Sequence, residues 1–212
     1  MGEGRIVIEF LLAAIQLDDT ALTEPGDVVE ISSAYAEPEN CVEIEGPAPI
    51  TERCDGYAGW TLYIGASDHS ASIAYSERAW QEQLMQNPIS DGVYQGFVPR
   101  IEWRVRRIDE TWTPFATIHR WTSATPLLDP ETGDFTGEEE ENSHLLVVTA
   151  LRPEGAIGAC HVGYVDVREV YDSNTIARVF ADAMSDDFRC GIDEPYWVGA
   201  GEALILERRG RL

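Results

Sequence analysis

With 212 residues, 44% of them hydrophobic and 25% charged, the chain is long and apolar enough to bury a sizeable core. Its 38 acidic residues against 15 basic ones leave a net charge of −23, which repels nucleic-acid phosphates and anionic lipid surfaces and removes both from the expected partners. Every basic residue is arginine; no lysine occurs.

The first residues, MGEGRIVIEFLLAAIQL, carry an apolar run broken by Glu9 and preceded by Glu3. That is a poor secretory signal, and it is too short to span a bilayer. Ala34-Tyr35-Ala36 before Glu37 nevertheless has the small-x-small pattern of a cleavage site. Residues 1–36 are read as a signal-like or linker segment: either a damaged or wrongly started signal, or a short amphipathic helix with a linker. Residues 37–198 are expected to form one domain and 199–212 a C-terminal tail.

Glu37 to Ile50 is acidic and proline-rich, an extended lead-in. Gly59–Ala66 and Ala71–Ser76 have the composition of two strands joined around Ser67-Asp68-His69-Ser70, and Ser76 is placed to cap a short helix through Gln86, ended by Asn87-Pro88. Arg100 to Trp121 reads as a β-hairpin, with Ile101, Trp103 and Val105 alternating with Glu102, Arg104 and Arg106 and a turn at Asp109-Glu110. A two-residue turn sets Trp103 opposite Ala116 and Ile101 opposite Ile118, with Arg104 over Phe115 on the other face.

Thr122 to Ser143 has no apolar period and ends in a run of glutamates, which predicts a solvated loop. Leu145–Leu151 (LLVVTAL) is nearly continuous apolar sequence, expected as a central strand covered on both faces. Arg152 to Gly158 is a turn and Ala159–Val167 the next strand. Asn174–Phe188 is the long helix, with Ile176, Val179, Phe180, Ala183 and Met184 on one stripe, Asp172 or Ser173 as cap and Gly191 as stop. Tyr196 onward holds a Gly-rich link and a last short element. The fold class predicted is α+β: a single antiparallel, meander-like sheet of about five or six strands with one long C-terminal helix on one face.

The four cysteines, Cys41, Cys54, Cys160 and Cys190, contain no C-x-x-C pair, which argues against a zinc knuckle or a thioredoxin-type motif. Four cysteines allow three pairings; the pairing expected is Cys41 with Cys54 and Cys160 with Cys190, which implies an oxidising compartment, the alternative being four buried free thiols in the cytosol. For the second pair the argument is positional. A helix packing back over the sheet, antiparallel to the strand that Cys160 opens, brings its far end near that strand's start.

Candidate chemistry is sparse. Cys160 and His161 are strand neighbours pointing to opposite faces, so they form no dyad. His119, His144, His161 and Asp166 are ligand types without i, i+2 or i, i+4 spacing, and the acidic loop (Asp129, Glu131, Asp134, Glu138–Glu141) lacks the order of a calcium loop. Arg100, Arg104, Arg106 and Arg120 on one hairpin suit a carboxylate or phosphate patch, against the plainer reading of ion pairing with the protein's own acids. Trp103, Trp112 and Trp121 read as hairpin packing before a sugar platform.

Cys54-Asp55-Gly56-Tyr57, Ile101-Glu102-Trp103-Arg104, Pro114 to Ile118 with Arg120-Trp121, Leu146 to Thr149, Cys160 to Asp166, Ala177-Arg178 with Ala181-Asp182, and Phe188 before Cys190 occur in an order that resembles a family of small secreted proteins of unknown function, common in alphaproteobacteria. The resemblance spans Cys41 to Val198 and implies export behind a signal peptide, to the periplasm or beyond. It carries no activity. The chain departs from the family at its N-terminus and at Ser67-Asp68-His69-Ser70, where a glycine, an acid and an arginine are usual. The function expected is a monomeric, non-enzymatic, extracytoplasmic binding or structural module without metal or cofactor. The alternative is a secreted hydrolase or lyase with a site near His144 and His161.

Overall fold

The structure is a computed structural model that describes residues 29–46, 48–76, 94–151 and 159–199, apart from the side chain of residue 142. The element order is β1 (Ile31–Ala36), β2 (Glu39–Glu43), β3 (Ile50–Asp55), a 3-10 turn (Tyr57–Gly59), β4 (Thr61–Ala66), β5 (Ala71–Ser76), β6 (Tyr94–Ile108), β7 (Thr111–Leu128), β8 (Phe135–Leu151), β9 (Ala159–Asp166), α1 (Ser173–Met184) and β10 (Tyr196–Val198). The protein is mostly β with one helix among the described residues. It is not built on a single antiparallel sheet: β1-β6-β7-β8-β9-β10 form one sheet and β2-β3-β4-β5 a second. The larger sheet is mixed, because β10 runs parallel to β9.

Three layers result. One face of the larger sheet packs on the small sheet, burying Ile101, Trp103, Trp121 and Val147 against Trp60, Leu62, Ile73 and Tyr75. The other face packs on α1, burying Ala116, Ile118, Val148 and Val162 against Ala177 and Ala181. This explains the sequence of β8. Leu145, Val147 and Leu151 serve the first core, Leu146, Val148 and Ala150 the second, so an uninterrupted apolar run is what a strand between two layers needs.

The β6–β7 hairpin turns at Asp109-Glu110, both at positive φ (45° and 67°), the signature of a type I′ turn. Ile108 pairs with Thr111 and Val105 with Pro114, the register expected from a two-residue turn. Beyond that a bulge at Phe115 shifts the pairing by one: Trp103 lies opposite Thr117, not Ala116, and Ile101 opposite His119, not Ile118. Trp103 still faces the core and is fully buried. The shift moves the cation as well, so Arg106 rather than Arg104 sits over the Phe115 ring, 4.2 Å from its centre.

Other expectations change for identifiable reasons. Thr122 to Ser143 is not a loop. It is the outer half of the β7–β8 hairpin, with its tip at Asp129 to Asp134, where Asp129 accepts from the Glu131 and Thr132 amides at 2.8 and 2.9 Å. Leu127, Leu128 and Phe135 are exposed there, so no buried face imposes a period. The helix ends at Met184, not Phe188, well before Gly191. Val179 is exposed, and Ala183 too; the stripe runs through Ala177 and Ala181, whose small side chains let the helix lie close to the sheet. Gly163 of β9 serves the same approach, since a Cβ there would meet the Phe180 ring at 2.9 Å. Ile31–Ala36 pairs along β6 as an edge strand, so the cleavage-like Ala34-Tyr35-Ala36 lies within the larger sheet and the folded unit starts before residue 37. The expected helix from Ser76 to Gln86 and the turn from Arg152 to Gly158 fall on residues outside those described, as does most of the C-terminal tail.

Both expected disulfides are present, Cys41–Cys54 and Cys160–Cys190, with Cα atoms 4.0 and 5.7 Å apart. Among the described residues no helix is long and apolar enough to cross a membrane.

Candidate functional site

The helix-facing side of β6 carries charge where a core would be expected. Glu102 and Arg104 are each only 7% exposed. Their partners come from α1: Arg178 holds Glu102 at 2.7 and 3.1 Å and Arg104 holds Asp182 at 2.8 and 2.6 Å, while just past the helix end Asp186 takes Arg106 at 2.7 and 2.5 Å. Ser33 of β1 completes the set, accepting from Arg104 and donating to Glu102 at 2.6 Å. Burial by itself would raise the Glu102 carboxyl, but the hydrogen bonds from Arg178 and Ser33 outweigh it and hold it below the usual carboxylate range. These pairs fix which way the helix lies across the strands.

The candidate arginine patch is thereby split. Arg104 and Arg106 are bound to the protein's own acids, as the plainer reading expected. Arg100 and Arg120 have no carboxylate partner among the described residues. A second bulge brings them together: Phe97 pairs with Trp121 and Ile101 with His119, so Val98-Pro99-Arg100 stands opposite the single residue Arg120. Pro99, which has no amide hydrogen to give a ladder, is where such a break belongs. Both arginines line a hollow of about 330 Å³ at the N-terminal end of α1, floored by Ile118 and Leu146 and bounded by Tyr35, Val98, Glu102 and Asn174. The Arg100 guanidinium lies over the Tyr35 ring at 4.6 Å.

Arg120 is oriented by His144. An arginine only donates, so at 2.8 Å His144 Nε2 accepts, and its Nδ1 then carries the hydrogen given to Glu141 at 3.2 Å. His161 is on the other face of the sheet, its Nδ1 at 2.8 Å from the Tyr164 hydroxyl. The sheet therefore separates His144 from His161, and the two do not form one site. His119 lies between the sheets as well. Its Nε2 donates to the Val98 carbonyl at 2.7 Å, in the bulge, leaving Nδ1 to accept from the Tyr75 hydroxyl at 3.2 Å. Asp166 accepts from the Arg168 amide at 2.9 Å and joins none of the three histidines. Among the described residues the one group at metal-ligand spacing is Cys41, Glu52 and Cys54, whose sulfurs are joined to each other. Trp103 and Trp121 are core residues and Trp112 packs against the same core, so they present no sugar platform.

The hidden histidines set a pH dependence. Burial lowers His119 to about 4, against the Val98 hydrogen bond that would raise it, and burial lowers His161 to about 4. Between the unfolded value of 6.5 and about 4 the unfolded chain takes up protons that the folded chain refuses. Stability is therefore complete above that window and falls through it by up to about 1.4 kcal/mol per pH unit for each ring. Glu102, depressed when folded, adds its own loss at lower pH. Urea midpoints should fall steadily from pH 6.5 to 4.5 and fall less steeply in His119→Gln; an unchanged slope in that variant would show that the ring ionises in place.

Sequence reading singled out Arg100 and Arg120 but had no means of separating them from Arg104 and Arg106. The available signal was Pro99, a bulge marker inside a strand-like run. No protein-family model, no curated protein and no solved structure matches this chain.

Proposed function

We propose that this protein is an extracytoplasmic binding module without a reaction of its own, and that it takes a small anionic ligand in the hollow between Arg100 and Arg120. The observation that carries the reading is the bulge at Val98-Pro99-Arg100, which sets Arg100 beside Arg120 on the lining of one hollow, neither with a carboxylate partner among the described residues. In a chain with 38 acids and 15 arginines, cations left without a carboxylate at one concave place need a reason, and bulges commonly serve to re-aim side chains at sites. Two disulfides and the resemblance to small secreted proteins support an oxidising, extracytoplasmic setting. His144, His119 and His161 are each engaged elsewhere, His144 by Arg120 and Glu141 and the other two behind the sheet, which weakens the alternative site near His144 and His161.

The test is a thermal-shift screen of the purified protein against a broad panel of small carboxylates, phosphates, sulfates and sugar acids, with Arg100→Gln and Arg120→Gln alongside. A ligand present at a hundred times its Kd adds about 2.7 kcal/mol of stability, a readily measured shift. The expected result is a concentration-dependent rise for at least one anion, lost in both variants. A panel without effect, or a rise that survives both substitutions, would remove the hollow as the binding site.

A further inference from the structure

The hollow has two unlike sides, and they define a ligand class. Its charged side is Arg100 and Arg120; its apolar side is Val98, Ile118 and Leu146. We infer that the ligand is a small organic monocarboxylate with an apolar body, an inference that rests on the reading of this hollow as the binding site.

Both guanidiniums are held by neighbours that carry no negative charge. Arg100 has one face on the Tyr35 ring, which leaves its in-plane N–H donors pointing sideways along the rim. Arg120 gives one of its five N–H donors to His144, and no acid among the described residues pairs with the rest of its fork, since the arginine ion pairs there involve Arg104, Arg106, Arg107, Arg168, Arg178 and Arg189. Planar forks of this kind match the two oxygens of a carboxylate. The N-terminal end of α1 at Asn174 adds a modest positive potential from the helix dipole.

The whole-molecule field argues against a dianion. At a net charge of −23 each negative charge brought to the surface is repelled over the Debye length, so a phosphate dianion meets about twice the opposition of a carboxylate. Glu102 borders the same hollow and, although paired with Arg178, adds to that opposition nearby. The floor contributes the other half of the selectivity. Ile118 and Leu146 close the bottom, and Val98 stands 40% exposed beside them, an apolar side chain that a hydrocarbon body would cover. Each buried methylene is worth about 0.8 kcal/mol, so a short chain or ring on the carboxylate should count for more than a second charge. About 330 Å³ lies at the small end of the range for ligand sites, which favours a compact acid over a long-chain one.

Titration calorimetry of the full chain with four probes decides the matter: hexanoate, acetate, inorganic phosphate and 1-hexanol, each with wild type, Arg100→Gln and Arg120→Gln. The expected result is one hexanoate per chain, acetate at least tenfold weaker, phosphate and hexanol weaker still, and at least a tenfold loss of hexanoate affinity in each variant. Arg100 is exposed, so its substitution should leave the fold intact, and circular dichroism checks both proteins. Phosphate binding more tightly than hexanoate, with loss in the variants, would overturn the carboxylate assignment and keep the hollow as an anion site. Hexanol binding as tightly as hexanoate, hexanoate affinity unchanged in both variants, or no binding of hexanoate at all would each overturn the inference.

Discussion

Trp103→Ala should lower the free energy of unfolding by about 3–5 kcal/mol, the usual cost of emptying a large aromatic site that cannot collapse. The site is where the two sheets meet. Trp103 is fully buried, with ring centres of Tyr57, Tyr75 and Trp60 at 6.1, 5.8 and 6.5 Å. Tyr57 belongs to the 3-10 turn, Trp60 follows that turn directly before β4, and Tyr75 belongs to β5, so one side chain of the larger sheet is gripped by the small sheet and the turn that leads into it. Trp103→Phe keeps a ring in place and should cost clearly less. Equilibrium urea unfolding measures both; a loss below about 1 kcal/mol for the alanine variant would mean that the small sheet contributes little to the fold.

Removing the Cys160–Cys190 bridge should cost about 3–4 kcal/mol, from the conformational freedom that the unfolded chain regains when a loop of this length opens. The two cysteines are 30 residues apart in sequence. The loop they close contains all of β9 after its first residue and the whole of α1, so the bridge joins the start of the strand to the segment that follows the helix. Cys160 is buried in the helix-side core, and Cys190 packs against it. Alanine at both positions tests the expectation by urea unfolding, with non-reducing peptide mapping of the wild type confirming the pair. A loss under about 1 kcal/mol would show that the ion pairs of α1 with β6 hold the helix by themselves.

Those ion pairs mark the limit of what local pattern can reveal. Along β6 the sequence alternates apolar with charged residues, and period two has a single meaning for one strand taken alone: one face in, one face out. The apolar face was correctly read, and so were the hairpin turn at Asp109-Glu110, the β4–β5 pair, the both-faces-covered β8 and the two disulfides, because each depends on residues close in sequence or on a small set of partners. For the charged face the sequence suggested ion pairing with the protein's own acids but could not name the partners. Glu102 and Arg104 are buried because Arg178 and Asp182, 76 and 78 residues later, bring the complementary charges, and no periodicity within a strand records that.

The same reason covers the other differences. Hydrophobic pattern counts how many faces an element buries and says nothing about which element covers them, so one sheet and two sheets look alike until the layers are assembled. Strands that leave both faces to water, as at Leu128 and Phe135 near the hairpin tip, have no apolar period to display. A bulge adds one or two residues to a single strand, a change too small for composition to register, yet at Phe115 it moved the pairing by one and at Val98-Pro99-Arg100 it set Arg100 beside Arg120. Composition, cysteine spacing and alternation thus pointed to a disulfide-bonded, acidic, mostly extended chain with one long helix near its C-terminal end. The partners of its charges, and with them the placing of Arg100 and Arg120 on one hollow without a carboxylate partner among the described residues, were decided by tertiary packing, since ion pairing is settled by proximity in space and not by position along the chain.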